Sequence, residues 1–294
     1  MIRETILITG AGPNGITGRR IKESLISEYE ILSPGRCELD LSDTTAVDRF
    51  FKEHPIDYVI HCAVIYPSEN NDPFSSNIDM FFNLARHSSY FKKMFYLGSG
   101  AEYDKRRSIT DVSENLIGDS IPCDTYGLSK FIMNQYARNS NNIYNIRLFG
   151  TINPYEPFTK NVISNLCLKA AKRMQLTLRQ DCRFSFTDID DVIAFLKYAL
   201  HKDLVYHDYN FVPNNTYFLS ELAKMICRIA NVDEHINFSK GGINKEYTGS
   251  GDRIMNEFND FTPIYRSLQK VYERMNSVAL SVGIEEIDAR WKSK

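Results

Sequence analysis

Residues 5–18 read Thr5-Ile6-Leu7-Ile8-Thr9-Gly10-Ala11-Gly12-Pro13-Asn14-Gly15-Ile16-Thr17-Gly18. The run 5–9 predicts a short buried strand, and GRRIKESLISE (18–28) predicts a helix with Ile21, Leu25 and Ile26 on one face. Glycines between a strand and a helix let the backbone approach a pyrophosphate, whose charge the helix N-terminus then stabilises. Glycine alone is weak evidence, since any tight turn contains it; its place between strand and helix gives it weight. The literal GxxGxxG spacing falls on Gly12, Gly15 and Gly18, with Gly10 opening the turn.

The alternation continues outward from this loop. Strands are predicted at 29–32, 57–62, 93–98 and 143–148, and helices at 44–53, 76–90 and 125–139. Such alternation predicts an α/β fold with a parallel sheet covered on both faces. Ligands in these sheets sit beyond the carboxyl ends of the strands. The loops after residues 9, 62, 98 and 148 should therefore line one cleft. The second half is less regular. Helices are expected at 159–174, at 188–201 behind acidic caps, at 219–230, and at 262–276, where Thr262 caps and Pro263 takes the first helical position. Residues 239–252 read as a turn-rich stretch. The expected organisation is a nucleotide-binding domain of residues 1–155, with a returning segment at about 184–215. A smaller, mostly helical lobe of about 156–183 and 216–294 would pack over its ligand edge.

Composition excludes several classes. The 294 residues carry a formal net charge of −2 with mixed signs, which offers no basic stripe for nucleic acid. Lys105, Arg106 and Arg107 form one short basic run, read as a solvated loop. No apolar run approaches a membrane span, and the opening residues are too short for a signal peptide. Cysteines at 37, 62, 123, 167, 182 and 227 show no CxxC pair and no zinc spacing, so reduced thiols, no metal and a cytoplasmic setting are expected.

Two further features suggest chemistry. Strand two ends in Ser33-Pro34-Gly35-Arg36, without the acid that usually holds the ribose hydroxyls of NAD. Arg36 is either a partner for the 2′-phosphate of NADP or an ordinary surface arginine. Tyr126-Gly127-Leu128-Ser129-Lys130 is a YxxxK pattern on a predicted helix, where positions i and i+4 share a face. A lysine there would lower the tyrosine's pKa and suit it to proton exchange with a hydroxyl or ketone. The alternative is a surface Tyr–Lys pair, which a chain with 17 tyrosines produces by chance. Ser99, at the end of strand four, adds a hydroxyl that would meet Tyr126 in the same cleft.

Taken together these segments resemble the extended short-chain dehydrogenase/reductase family, in its sugar-nucleotide epimerase, dehydratase and ketoreductase branch. The likeness includes the glycine loop, Asp40-Leu41-Ser42-Asp43, His61-Cys62-Ala63-Val64, Asn77, GSGAEY (98–103) and YGLSK (126–130). It continues through RLFG (147–150), RFSFTDIDDV (183–192), Gly251-Asp252-Arg253 and Phe261-Thr262-Pro263. The resemblance implies a Rossmann-type, doubly wound sheet and a homodimer acting on a nucleotide-diphosphate sugar. It implies catalysis by Ser99, Tyr126 and Lys130. The implied cofactor set is Gly10, Gly12, Asn14, Gly15, Ile16, Gly18, Arg36, Asp40 (at the adenine), Leu41, Cys62, Ala63, Val64, Asn77, Leu97, Tyr126 and Lys130 (also at the nicotinamide ribose). The implied substrate set is Ser99, Gly100, Ala101, Asn161, Arg183 and Arg253, the two arginines gripping the diphosphate. Against that role, Arg183 has Asp188 or Asp190 as potential partners, and Arg253 reads equally as a surface charge. From Gly10 the glycine loop is two residues longer than the family's pattern.

The resemblance also narrows the reaction. The dehydratases of the branch need an acid pair directly after the catalytic hydroxyl, where this chain has Gly100 and Ala101, with Glu102 out of register. The GDP-fucose synthases carry a Cys/His pair for epimerising C3 and C5, and Ala101 and Asn161 stand at those positions. An NADPH-dependent 4-ketoreductase of a nucleotide-linked 4-keto-deoxysugar is favoured, with NADP(H) as cofactor and NAD(H) the alternative. A redox-neutral C4 epimerase retaining NAD, and a silent nucleotide-binding regulator, are the competing readings.

Overall fold

The computed structural model describes residues 3–68 and 72–288. In the first half the order is β1 (Thr5–Thr9), α1 (Ile16–Leu25), β2 (Glu30–Leu32), α2 (Thr44–Glu53), β3 (Tyr58–His61), α3 (Phe74–Ala85), β4 (Lys93–Ser99), β5 (Ile109–Val112), α4 (Thr125–Arg138), β6 (Ile143–Leu148) and β7 (Gly150–Ile152). The second half adds α5 (Val162–Ala171), β8 (Leu176–Leu178), β9 (Arg183–Asp188), α6 (Ile189–Leu200), β10 (Asp208–Asn210), β11 (Thr216–Phe218), α7 (Leu219–Ala230), β12 (Ile236–Phe238), β13 (Tyr247–Gly249), α8 (Asp252–Glu257), α9 (Ile264–Val278) and α10 (Ile284–Asp288).

The central sheet has six parallel strands in the order β10-β6-β4-β3-β1-β2. Burial on both faces explains the near-continuous apolar runs of β1, β3 and β4. From β1 the chain first adds β2 on one side and then β3 on the other. The reversal lies at the carboxyl end of β1, where the glycine loop begins, and such switch points open the binding crevice of α/β sheets. The architecture is Rossmann-type. One core, with Ile6, Ile8, Ile60, Phe95, Ile146 and Phe195, lies on one face under α1 and α6. A second, with Leu7, Val59, Phe81, Met94 and Met133, lies on the other under α2, α3 and α4.

A second sheet runs β11-β9-β13-β5, with β7 also pairing β9. It backs onto a third core built from α5, α7 and α9. The two halves interleave more than a division at 156–183 and 216–294 implies. Strand β5 leaves the first half to pair with β13, while β9 sits in the second sheet and α6 and β10 return to the first. Ile254, Phe258 and Phe261 pack into the first core. Among the described residues no helix is long and apolar enough to cross a membrane.

Several local expectations are corrected. Ile26 is 53% exposed, because α1 ends at Leu25 and the next residue turns off the buried face set by Gly18, Ile21 and Leu25. The helix expected at 76–90 stops at Ala85, and a separate 3-10 turn follows at 88–90. Thr262 does not cap α9: its hydroxyl and amide both donate to the buried Asp191, leaving Pro263 at the cap position without a side-chain bond. The turn-rich stretch 239–252 contains β13.

Candidate active site

Gly10 has φ +70°, and a Cβ there would stand 2.5 Å from the amide nitrogen of Ala63. Cβ atoms at Gly15 and Gly18 would stand 1.8 and 2.5 Å from the Gly10 carbonyl oxygen. The close-packed trio is therefore Gly10, Gly15 and Gly18, while Gly12 faces open space. The two extra residues form an outward turn closed by the Gly15 amide donating to the Gly12 carbonyl (2.9 Å). Gly15 occupies the N-cap of α1 and gives its first turn no side-chain cap, unlike Asp43 on α2 or Asp124 on α4. An uncapped helix start beside a glycine cradle fits a dinucleotide pyrophosphate. Asn14 and Ile16 flank Gly15 at that start.

The loop after β3 lies against this cradle. The amides of Cys62 and Ala63 donate to the Thr9 carbonyl and hydroxyl, at 3.2 and 3.4 Å. Val64 follows, half-buried. Asn77 enters the site indirectly: its buried amide clamps both the N–H and the C=O of Ile65 at 2.9 Å, fixing the loop. Beyond β2, Asp40 accepts from the Ser42 amide and hydroxyl, and these bonds hold its carboxyl below the usual range. Arg36 pairs with Asp40 at 3.4 Å on the exposed rim, its side chain 74% accessible. Leu41 is buried in the second core.

Ser99 ends β4. Its amide donates to Glu102 (3.0 Å), and its Oγ accepts from the Ala101 amide (3.2 Å), closing a reciprocal cap on the turn 100–102. A Cβ on Gly127 would stand 2.4 Å from the Ala101 carbonyl oxygen. That glycine lets α4 approach the turn closely and brings the Tyr126 hydroxyl near Ser99. One turn along α4, the buried Lys130 ammonium donates to the Leu97 carbonyl (2.8 Å). Leu97 thus offers its backbone to the lysine. Burial lowers Lys130 to about 8, against the pull of Glu102 and Cys62.

Tyr126 overturns one expectation. Burial raises its phenol well above the ordinary value, the neighbouring Tyr66 adds to the rise, and Ser99 opposes it. Lys130 does not lower it, because the ammonium is held at Leu97. Tyr66 (rings 5.5 Å apart from Tyr126) and Tyr247, whose hydroxyl lies beside Gly100, join the cluster; the sequence reading missed both. Gly100 is buried, and a Cβ there would stand 2.7 Å from the Tyr247 hydroxyl. Ala101 is 2% exposed.

Glu102 is structural. Fully buried, it accepts from Arg147 Nε (2.8 Å) and from Asn145, and pairs with Arg147 Nη2 at 2.7 Å. Burial raises its carboxyl against the Arg147 charge. The network runs on to Asp208 and Arg253. Arg253 is neither a surface charge nor available to a diphosphate. It donates to Asp208 (2.7 Å) and Asn115 (2.6 Å), lies 3.7 Å from Glu114, and stacks on Tyr206. Its substrate role is withdrawn, because buried carboxylates already hold the guanidinium.

Beyond Ser99 a cavity of about 370 Å³ is lined by Phe149, Gly150, Thr151, Lys160, Asn161, Val162, Phe184, Phe186 and Leu219. Asn161 borders it mainly as the N-cap of α5, accepting from the Ile163 and Ser164 amides while donating to Glu156. Glu156, also missed, has its carboxyl raised by burial and no cation partner among the described residues. Arg183, just before Phe184, is exposed over the Phe218 ring and is likewise unpaired among the described residues. Asp188 and Asp190 instead pair with Lys270, and Asp190 also with Arg20. Among the described residues no group of acids, histidines or cysteines is arranged for a metal.

Residues 6–211 match the pattern of the NAD dependent epimerase/dehydratase family. The chain belongs to that family. GDP-L-colitose synthase of Yersinia pseudotuberculosis is 33% identical over 109 residues, a stretch spanning 34% of this chain and 35% of that protein. GDP-mannoheptose C4 reductase from Campylobacter jejuni, solved with NADP bound, superposes with TM-score 0.77 at 18% identity, covering 92% of this chain and 98% of its own. A GDP-L-fucose synthetase from Naegleria fowleri bound to NADP gives 0.78 at 15%, covering 96% and 97%. The dTDP-4-dehydrorhamnose reductase of Bacillus anthracis gives 0.74 at 18%, covering 93% and 99%. At such identities the likeness is one of fold.

Proposed function

We propose that this chain reduces the C4 keto group of a nucleotide-linked 4-keto-deoxysugar, with NADPH as the hydride source. The observation carrying the reading is the approach of Tyr126 and Ser99 beside the glycine cradle, with Tyr126 kept protonated by burial. A reductase needs that tyrosine as an acid. The functions named for the similar proteins, reduction and synthesis of GDP- and dTDP-linked sugars, support the substrate class.

When bound, the nicotinamide supplies the hydride that arrives at C4. Tyr126 gives its proton to the C4 oxygen, and the Ser99 O–H donates to that same oxygen as negative charge develops there. Lys130, held at the Leu97 carbonyl, takes the nicotinamide ribose, and solvent returns the proton to Tyr126. Arg36 takes the 2′-phosphate at the rim. Arg183 and Lys160, flanking the cavity without carboxylate partners among the described residues, take the sugar diphosphate, a use suited to guanidinium and ammonium. Ala101 and Asn161 provide no base for epimerisation at C3 or C5.

The test incubates purified protein with a panel of nucleotide-linked 4-keto sugars and either NADPH or NADH. Stoichiometric NADPH consumption, faster than with NADH, supports the reading. Interconversion of C4 epimers with retained NAD and no net consumption would replace it with the epimerase.

A further inference from the structure

Glu156 is a carboxyl at the cavity that the reduction leaves unused. After β7 the chain turns back on itself: the Tyr155 amide donates to Asn153 Oδ1 (3.0 Å) and the Glu156 amide to the Asn153 carbonyl (3.1 Å). This turn sets the Glu156 carboxyl between two side chains of the cavity wall. The Thr151 hydroxyl donates to its Oε1 (3.0 Å), and the Asn161 side-chain amide donates to its Oε2. Asn161 is held from its other end, where its Oδ1 accepts from the Ile163 and Ser164 amides at the start of α5 (2.8 and 3.2 Å). The protein therefore orients the carboxylate by itself, with one donor on each oxygen.

The buried carboxylates Glu102, Asp208 and Glu114 meet Arg147 or Arg253. Glu156 meets no cation among the described residues, and burial raises its carboxyl. A desolvated charge without a counter-ion calls for hydrogen-bond donors. A carboxylate offers about four acceptor positions, two on each oxygen, so each Glu156 oxygen keeps one open. Two adjacent acceptors match two adjacent hydroxyls. The position of Glu156 selects among the diols of a nucleotide sugar. Leu148 is the register partner of Ser99 in the central sheet, and the cavity residues Phe149, Gly150 and Thr151 follow it directly. The charge of Glu156 is felt at Tyr66, whose ring lies 5.5 Å from that of Tyr126. Glu156 thus borders the end of the cavity next to the reacting hydroxyls, where the keto sugar lies. On a 4-keto-6-deoxyhexose C1 carries the diphosphate, C4 the keto oxygen and C6 no hydroxyl, which leaves C2 and C3 as the one vicinal diol of the ring. We propose that Glu156 binds the sugar by accepting from its C2 and C3 hydroxyls, so that the preferred substrate is a 4-keto-6-deoxyhexose retaining its C3 hydroxyl. This inference rests on the ketoreductase reading and narrows its substrate.

The probes are the nucleotide-linked 4-keto-6-deoxyhexose that is reduced fastest and its 3-deoxy counterpart on the same nucleotide. The parent is expected to favour the 3-hydroxy probe about ten- to hundred-fold in kcat/KM, the worth of one hydrogen bond to a charged group. Glu156→Gln keeps the shape and removes the charge. It is expected to raise KM for the 3-hydroxy probe about ten-fold with little change in kcat, because the contact exists before and during the reaction. Its effect on the 3-deoxy probe is expected to be several-fold smaller, and NADPH affinity should not change. Thr151→Val, which frees one side of the carboxylate, is expected to shift the selectivity in the same direction and serves if the glutamine variant folds poorly. Equal losses on both probes, an unchanged KM, or a fall in NADPH affinity would overturn the inference, the last by placing Glu156 on the cofactor. A parent that reduces no keto sugar refutes the ketoreductase reading instead. The contact is then read by calorimetric titration of the NADP-loaded protein with GDP- and dTDP-linked 6-deoxyhexoses and their 3-deoxy counterparts. Glu156→Gln should weaken the 3-hydroxy ligands selectively, and weakening without that selectivity, or none, overturns the inference.

Discussion

Glu102→Gln separates a structural carboxylate from a catalytic one. Glu102 lies three residues past Ser99, out of register for a dehydratase acid, and it is fully buried and spent on Arg147, Asn145 and the Ser99 amide. Arg147 is also 0% exposed. Removing one partner of a buried ion pair costs roughly 3–5 kcal/mol, because a charge is left uncompensated. Here Arg147 keeps Asp208 at 3.2 Å, although Asp208 is shared with Arg253, and glutamine still accepts one hydrogen bond. The loss should fall at the low end, about 3 kcal/mol. In urea unfolding of the purified protein that is a midpoint shift of about 1 M. Folded Glu102→Gln should retain the parent's pH–rate profile and at least a fifth of its kcat, since Ser99 loses only a backbone anchor. A parental unfolding midpoint together with abolished turnover would refute this assignment and make Glu102 a catalytic acid.

Arg36→Ala should weaken NADPH about ten-fold and NADH little, in a side-by-side titration; equal effects would remove Arg36 from the 2′-phosphate. For kcat/KM of the free enzyme, Lys130 at about 8 predicts an alkaline limb near pH 8, as loss of the ammonium charge weakens its hold on the nicotinamide ribose. Lys130→Arg, charged throughout, should lower the rate and abolish that limb. The same depressed value means the unfolded chain binds the extra proton between about pH 8 and 10.5, so this group's contribution to stability rises with pH across that window. Lys130→Met should flatten the slope in pH-dependent unfolding. Arg253→Ala should cost about 2 kcal/mol of stability by stranding Asp208 and Glu114, and leave KM for the sugar nucleotide unchanged, whereas Arg183→Ala should raise that KM. The reverse pattern would return Arg253 to the substrate.

The first half of the chain is readable because its strands are buried on both faces and its helices follow one face at a time. Ile6, Leu7 and Ile8 of β1 are all fully buried, and the strand–glycine–helix order survives intact in the structure. The serine, tyrosine and lysine follow from that alternation, since each sits at or near a strand end facing one crevice. The second half resists for a different reason. Strands such as β11 and β13 are short, and β13 holds only three residues paired across long sequence distances, with a glycine among them. Its place depends on Gly100 and Phe149, nearly 150 and 100 residues away, which no local pattern encodes. Tyr247 was therefore hidden in a stretch that reads as turns. Arg253 misled for the opposite reason: an arginine in a suitable motif carries no mark of the buried carboxylates that hold it. Tyr126 misled in its charge state, because i, i+4 spacing places two side chains on one face without fixing where the lysine's ammonium points.

The central claim is hydride transfer to C4 with proton delivery by Tyr126. Its most direct test uses NADPH deuterated at the transferring position, a nucleotide-linked 4-keto-deoxysugar, and mass and NMR analysis of the product, for the parent and for Tyr126→Phe. The account predicts one deuterium on C4 per cofactor consumed by the parent, and no product from a Tyr126→Phe protein that still binds NADPH. Product free of deuterium, or Tyr126→Phe turning over within a few-fold of the parent, would contradict it.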